Sequence, residues 1–260
     1  KIIQLNRLIE SEKKSSTYKF ALLRATSDCI KESLNLFENC GDYYSAPMAI
    51  IIENWIKYYY PLLDLESPIP QFPESKKDIA FKREMDDLIL AFKNSGGLSR
   101  WMNVHFSGKL KEEELDKTVR LFNQLYKTIR EQPMKYFGNS INKVNYGFFR
   151  KGNNKERGNI KYTGRLSFIE LYGTFQIKAD LFELLKLIGG YITGDYSIIL
   201  QWAEFSYRAA SGSINKETII DKLYSRTTFE RDNLISVSTF RDLKRTEQLK
   251  CVWTGKKLNE

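Results

Sequence analysis

Between Lys111 and Glu131 the apolar residues Leu115, Val119, Phe122, Tyr126 and Ile129 return at alternating steps of four and three. That period lines them along one face of an α-helix, and such a face must be covered by other apolar surface. Three earlier stretches behave in the same way. Ser15, Ser16 and Thr17 offer an N-cap for a helix through "YKFALLRATSDCIKESLNLFEN", with Leu23, Ile30, Leu34 and Phe37 near one face and Gly41-Asp42 as its end. A second helix is predicted from about Ser45, with Pro47 in its first turn and a break around Pro61. A third follows from about Asp78, with Phe81, Met85, Leu88 and Phe92 in one row and Ser95-Gly96-Gly97 as its stop. Four helical stripes predict a bundle without a sheet before residue 132. The intervening "DLESPIPQFPESKKD" holds three prolines and reads as a turn segment.

After Pro133 the texture changes. "KVNYGFFRKGNNKERGNIKYTGRLSFIELYGTFQI" is rich in Tyr, Phe, Ile, Thr and Gly, and "GNNKERGN" between "YGFF" and "IKYTG" suits a β-hairpin or a pair of extended loops. Helices then resume in "ADLFELLKLIGG", "YSIILQWAEFSYRAA", "INKETIIDKLYS" (capped by Asn215 or Ser213) and "TFRDLKRTEQLK". The expected class is mainly α: a helical bundle with a small β-hairpin in the middle. The expected divisions are a helical N-terminal domain over 1–134, a helical domain with the basic hairpin over 135–249, and a distinct C-terminal element over 250–260.

Several chemistries are disfavoured. His105 is the one histidine, in "RWMNVHFSG", and beside Trp101 and Phe106 it reads as a packed or surface residue rather than a base, so no nucleophilic triad is expected. Neither a P-loop nor a dinucleotide-binding glycine pattern occurs. The acidic runs "KEEELDK" and "EMDDL" fall on polar helix faces and show no metal-ligand spacing. Cys29, Cys40 and Cys251 form no C-x-x-C pair, which predicts reduced thiols and a cytoplasmic setting. "APMAIII" is too short to span a bilayer, and the N-terminus has no signal-peptide pattern.

The net charge is +9, and 19 basic against 13 acidic residues from Arg150 to Glu260 place +6 of it in the second part. A basic excess favours anionic partners, nucleic acid first. It is sharpest between Arg150 and Arg165, where Arg150, Lys151, Lys155, Arg157, Lys161 and Arg165 face one acid, Glu156. Cations on a turn rich in Gly and Asn can follow a phosphate track, and Phe149 and Tyr162 stand alongside.

The last residues carry a resemblance. "KCVWTGKKLNE" at 250–260 resembles the opening strand and turn of the HNH endonuclease motif, the ββα-metal fold, on Lys250, Cys251, Trp253, Thr254, Gly255, Lys256 and Leu258. "STYKFALLRA" at 16–25, "ENWIKYYYPLL" at 53–63 and "IPQF" at 69–72 are similar to the helical region that precedes this motif in a group of bacterial HNH proteins. The resemblance implies hydrolysis of phosphodiester bonds, in DNA, with Mg²⁺ or a similar divalent ion, and includes restriction and phage-defence nucleases. It also implies that the catalytic Asp-His pair and the remaining metal ligands would lie beyond Glu260, so no catalytic or metal-binding residue is expected within this chain. Gly255 would permit the turn and Lys256 would face nucleic acid. Thr254 stands where many relatives carry a second zinc thiol, so Cys251 is expected to pack under the hairpin.

Two other classes stay open from the residues. One is a non-catalytic nucleic-acid-binding or partner-binding helical module. The other is a toxin-like or regulatory component that docks through the aromatic run "WIKYYYPLL". A protein partner or a homo-oligomer is compatible with each.

Overall fold

The computed structural model describes residues 16–73, 78–137, 147–156, 161–162, 164–192 and 198–224. These residues are mainly helical, with one small antiparallel sheet. They belong to a single compact unit.

Helix α1 spans Tyr18–Glu32 and α2 spans Met48–Leu63. Nearly every side chain of α2 is buried, and the run Trp55, Tyr58, Tyr59 and Tyr60 is core rather than docking surface. Trp55 and Tyr59 pack on Phe81, and Tyr59 on Trp202. The N-terminus of α1 is held in an unexpected way. Thr17 makes no capping bond to its own helix. Its hydroxyl instead donates to Gln71 Oε1 at 2.8 Å and meets Tyr59 Oη at 2.9 Å. Gln71 Oε1 also accepts from Trp202 Nε1 at 3.0 Å. The stretches 16–25, 53–63 and 69–72 therefore meet in one buried knot, in which Thr17, Tyr59, Gln71 and Trp202 bond one another.

The first helix ends ten residues short of Asp42. After Glu32, Leu34–Leu36 forms a short 3₁₀ turn, and strands β1 (Glu38–Asn39) and β2 (Tyr43–Pro47) follow. The expectation of no sheet before residue 132 is corrected here. Asn39 Oδ1 accepts the Gly41 N–H at 2.9 Å, and Gly41 takes a positive φ of 79°, so Cys40-Gly41-Asp42 makes a hairpin turn instead of a helix stop. Leu34, on the supposed apolar stripe, is left 44% exposed, while Phe37 turns in against Phe175 and Phe182. Pro47 closes β2 and precedes α2, and Pro61 sits inside the last turn of α2.

Helix α3 (Lys82–Phe92) buries Phe81, Met85, Leu88 and Phe92 as its spacing predicts. Gly96, with φ of 113°, does stop the preceding turn, but it also starts α4 (Gly97–Phe106), which carries Trp101 and His105 inward. Helix α5 (Glu112–Glu131) follows its predicted bounds. Glu114 Oε2 accepts the Lys111 N–H at 2.9 Å, and the acidic first turn complements the helix dipole. Phe122 and Ile129 are fully buried, and Leu115, Val119 and Tyr126 border the core.

A four-residue helix α6 (Pro133–Tyr136) leads to β3 (Phe149–Lys151), α7 (Arg165–Leu171) and β4 (Thr174–Lys178). The partner of β3 is β4, not the segment at 161–162, so the hairpin expected around "GNNKERGN" is corrected to a long-range pair. Strand β4 also pairs with β2, giving the order β1-β2-β4-β3 with every neighbour antiparallel. Helices α8 (Ala179–Ile192), α9 (Ile198–Ala209) and α10 (Lys216–Tyr224) complete the described chain. Asn215 Oδ1 accepts the Glu217 N–H at 3.1 Å and serves as the expected cap of α10. Among the described residues no helix is long and apolar enough to cross a membrane.

Candidate nucleic-acid interface

The sheet has two unlike faces. Ala46, Phe149, Phe175 and Ile177 point one way and are buried. Strand pleating puts Tyr43, Ser45, Arg150, Gln176 and Lys178 on the other side, because Tyr43 opposes Lys178 while Ser45, Gln176 and Arg150 share a register row. Apart from Tyr43, this second face is half-buried or exposed. Arg150 reaches across β4 and lays its guanidinium over the Tyr43 ring, 4.1 Å from the centroid. The ring is fixed in turn by the Tyr43 hydroxyl, which donates to the Gly147 carbonyl at 3.0 Å. A cleft of about 480 Å³ opens beside this pair, and Lys135 from α6 and Lys178 from β4 bring two further cations to it.

The rest of the basic stretch is used differently. Residues 151–156 form a strap tied down on α5. Lys151 pairs with Glu131, which lowers the Glu131 carboxyl below its ordinary value through that hydrogen bond. Arg130 is buried and donates to the Asn153 carbonyl at 3.3 Å and to Asn154 Oδ1 at 2.8 Å. Lys155 donates to Asn123 Oδ1 at 2.5 Å and lies 5.0 Å from the Tyr172 ring centre, and its partial burial lowers its pKa. The strap also needs glycine. A Cβ on Gly173, whose φ is 67°, would fall 2.3 Å from the Asn153 carbonyl oxygen. Lys161 is exposed. Arg157, Cys251, Trp253, Gly255 and Lys256 lie outside the described residues, as does the helix read at "TFRDLKRTEQLK".

Arg165 turns inward. Its Nε sits 2.9 and 3.0 Å from the two carboxylate oxygens of Glu53, and its Nη2 lies 2.6 Å from Oε2. The same Oε1 meets His105 Nε2 at 3.0 Å. Glu53 and His105 are essentially inaccessible, whereas the Arg165 side chain is 32% exposed and stacks over Phe106. Burial alone would raise the Glu53 pKa, but the bonds from His105 and Arg165 outweigh it and hold the carboxyl below the usual glutamate value. Burial likewise works against the Arg165 charge, and Glu53 overrides it. His105 is stacked on Trp101 at 5.0 Å and ringed by Phe106, Phe122 and Phe168. It is a packed residue, as its aromatic neighbours in sequence imply. Its Nδ1 has no partner among the described residues. Glu53, bonded to both His105 and Arg165, makes a structural clamp between α2, α4 and α7.

A family model described as a domain of unknown function, DUF8808, matches residues 1–223. The chain belongs to that family. No curated protein and no solved structure matches it. The DUF8808 match ends before the stretch that resembles the HNH opening, so the sheet, the cleft and the clamp all belong to the family domain.

Of the cations singled out in the sequence, the DUF8808 fold leaves Arg150 at the cleft and spends Lys151, Lys155 and Arg165 on internal contacts. Lys135 and Lys178 were not among them. Lys178 had a faint signal, since "TFQIK" alternates apolar and polar residues and so puts Gln176 and Lys178 on one face. Lys135 had none. Glu53 had a signal too: one carboxylate inside "AIIIENWI" demands a buried partner. Among the described residues no group of three His, Cys, Asp or Glu side chains could hold a metal ion. The divalent ion implied by the resemblance therefore has no ligand set among the described residues.

Proposed function

We propose that this chain is the nucleic-acid-facing part of an HNH-type endonuclease, acting in the cytoplasm on phosphodiester bonds of DNA when the intact protein carries its divalent ion. The observation that carries the nucleic-acid half of this reading is the convergence of Lys135, Arg150 and Lys178 on one cleft beside a polar sheet face. Phosphates release counterions when such cations neutralise them, which gives affinity without sequence preference. The nuclease half rests on the resemblance of Lys250 to Leu258, which lies beyond the residues matched by the family model. A role in restriction or phage defence belongs to the same reading.

The test compares the product of the intact reading frame with the 260-residue chain, each incubated with plasmid and Mg²⁺. The intact product is expected to nick or linearise plasmid, and the 260-residue chain to bind DNA without cutting it. DNA binding by the intact product with no cleavage in Mg²⁺ or Mn²⁺ would leave a non-catalytic binding module. Cleavage by the shorter chain that disappears in a His105→Ala variant melting at the wild-type temperature would overturn both the resemblance-based reading and the structural role of His105.

A further inference from the structure

We propose that the cleft between α6 and the sheet takes a single unpaired nucleotide, with its phosphate on Arg150, Lys178 and Lys135. This rests on the nucleic-acid reading above and names what the cleft binds. The cleft is concave and about 480 Å³ in volume, which suits one nucleotide rather than the outer surface of a duplex. Met134, Phe137 and Phe149 border it but are each only 4–6% exposed, so its accessible lining is mainly polar and its rim is cationic. A nucleotide suits both, with a phosphate for the cations and the hydrogen-bonding edges of base and sugar for the polar lining. A stacked, paired base presents only its edges in the grooves, so a base that enters this cleft must first leave its stack.

Arg150 is the residue best prepared for the phosphate. Its guanidinium is already laid on the Tyr43 ring, so the fork of donors is oriented before any ligand arrives and less side-chain freedom is lost on binding. Among the described residues it makes no ion pair with a carboxylate, unlike Lys151 and Arg165. Lys178 lies one diagonal step away on the same face, which places a second charge beside the first. Lys135 approaches from the opposite wall and shares its field with Glu131.

The experiment measures fluorescence anisotropy of the 260-residue chain with a labelled oligo-dT strand and with a duplex of the same length, at one fixed salt concentration. AMP and inorganic phosphate serve as unlabelled competitors. The single strand is expected to bind more tightly than the duplex. Arg150→Ala and Lys178→Ala should each weaken single-strand binding about tenfold, and Lys161→Ala less than about twofold. Arg150→Gln and the melting temperature of each variant separate lost binding from lost folding. AMP should compete far better than inorganic phosphate if the cleft holds the base as well as the phosphate. Unchanged single-strand affinity in the two cleft variants overturns the subsite while leaving the wider nucleic-acid reading in place. Tighter binding to the duplex than to the strand overturns the unpaired-nucleotide assignment alone. Binding of AMP that the cleft variants abolish, with no strand bound, keeps the nucleotide pocket and sinks the strand reading. Binding of neither AMP nor any strand overturns both.

Discussion

Arg150 and Arg165 open and close the same basic stretch, and the fold treats them in opposite ways. Arg165 gives its guanidinium to a carboxylate buried among aromatic rings, where water cannot compete. Arg150 lies over the ring of a tyrosine and lines an open cleft. Between them Lys151 and Lys155 are drawn onto α5. Charge density along a sequence therefore measures the number of cations and not their availability. What decides availability is whether a neighbouring element brings up a carboxylate or a carbonyl. Helices α2 and α5 do so for Arg165, Lys151 and Lys155, and the outer sheet face does not for Arg150.

The sharpest way to break this comparison is to delete each end of the stretch and measure stability. Arg165→Ala leaves Glu53 buried with only His105 as partner, and removing one member of a buried pair costs about 3–5 kcal/mol. The partial exposure of Arg165 puts the expected loss at the lower end, about 3 kcal/mol by urea unfolding. A loss below about 1 kcal/mol would mean that the clamp contributes specificity without stability.

Acid should reveal the same difference. Glu53 has a folded pKa below its unfolded one, so its contribution is complete above the unfolded value, near 4.3, and is lost as pH falls through the folded value. The stability of the wild type should therefore decline more steeply below about pH 4.5 than that of Glu53→Gln, and the two curves should converge at low pH. Parallel curves across that window would remove Glu53 as the acid-sensitive group.

At the open end the expected effect is small. Arg150→Ala and Lys151→Ala should each change unfolding free energy by no more than about 0.5 kcal/mol, since both lie at the surface and the Lys151–Glu131 pair is exposed. A melting temperature that falls sharply in Arg150→Ala would show that its contact with Tyr43 holds β2 and β3 together, and would recast the cleft as a structural seam.

The helical part of this fold is legible wherever a stripe runs long enough to outvote other signals. Helix α5 does so over its whole length, and α3 does so on four core side chains. The sheet is not legible, because its four strands are only two to five residues long and β4 finds both of its partners, β2 and β3, far away in the chain. Neither the 38–47 hairpin nor the β3–β4 pair has a repeating pattern long enough to compete with the helical reading of its surroundings. Helix α4 is hidden by Gly96-Gly97, which signals a stop and gives no sign that a new helix starts there. Glu53 is the instructive case at the site. A carboxylate set within apolar neighbours announces a buried partner, but only the folded chain identifies Arg165 and His105 as that partner.

The pairing of β2 with β4 also has a consequence for how the domain is made. Tyr43 and Lys178 meet although 135 residues separate them in the chain, so the polar sheet face is a contact of high sequence separation. Such contacts carry a large loop-closure cost and form after the local helices. During synthesis, α1 and α2 emerge long before the strand that completes the face. The cleft comes into being only when residues up to Lys178 are present, so a nascent or prematurely ended chain would carry its helices but no anion-binding surface. A fragment cut before Thr174 should accordingly retain helical signal and lose the affinity that the whole chain shows.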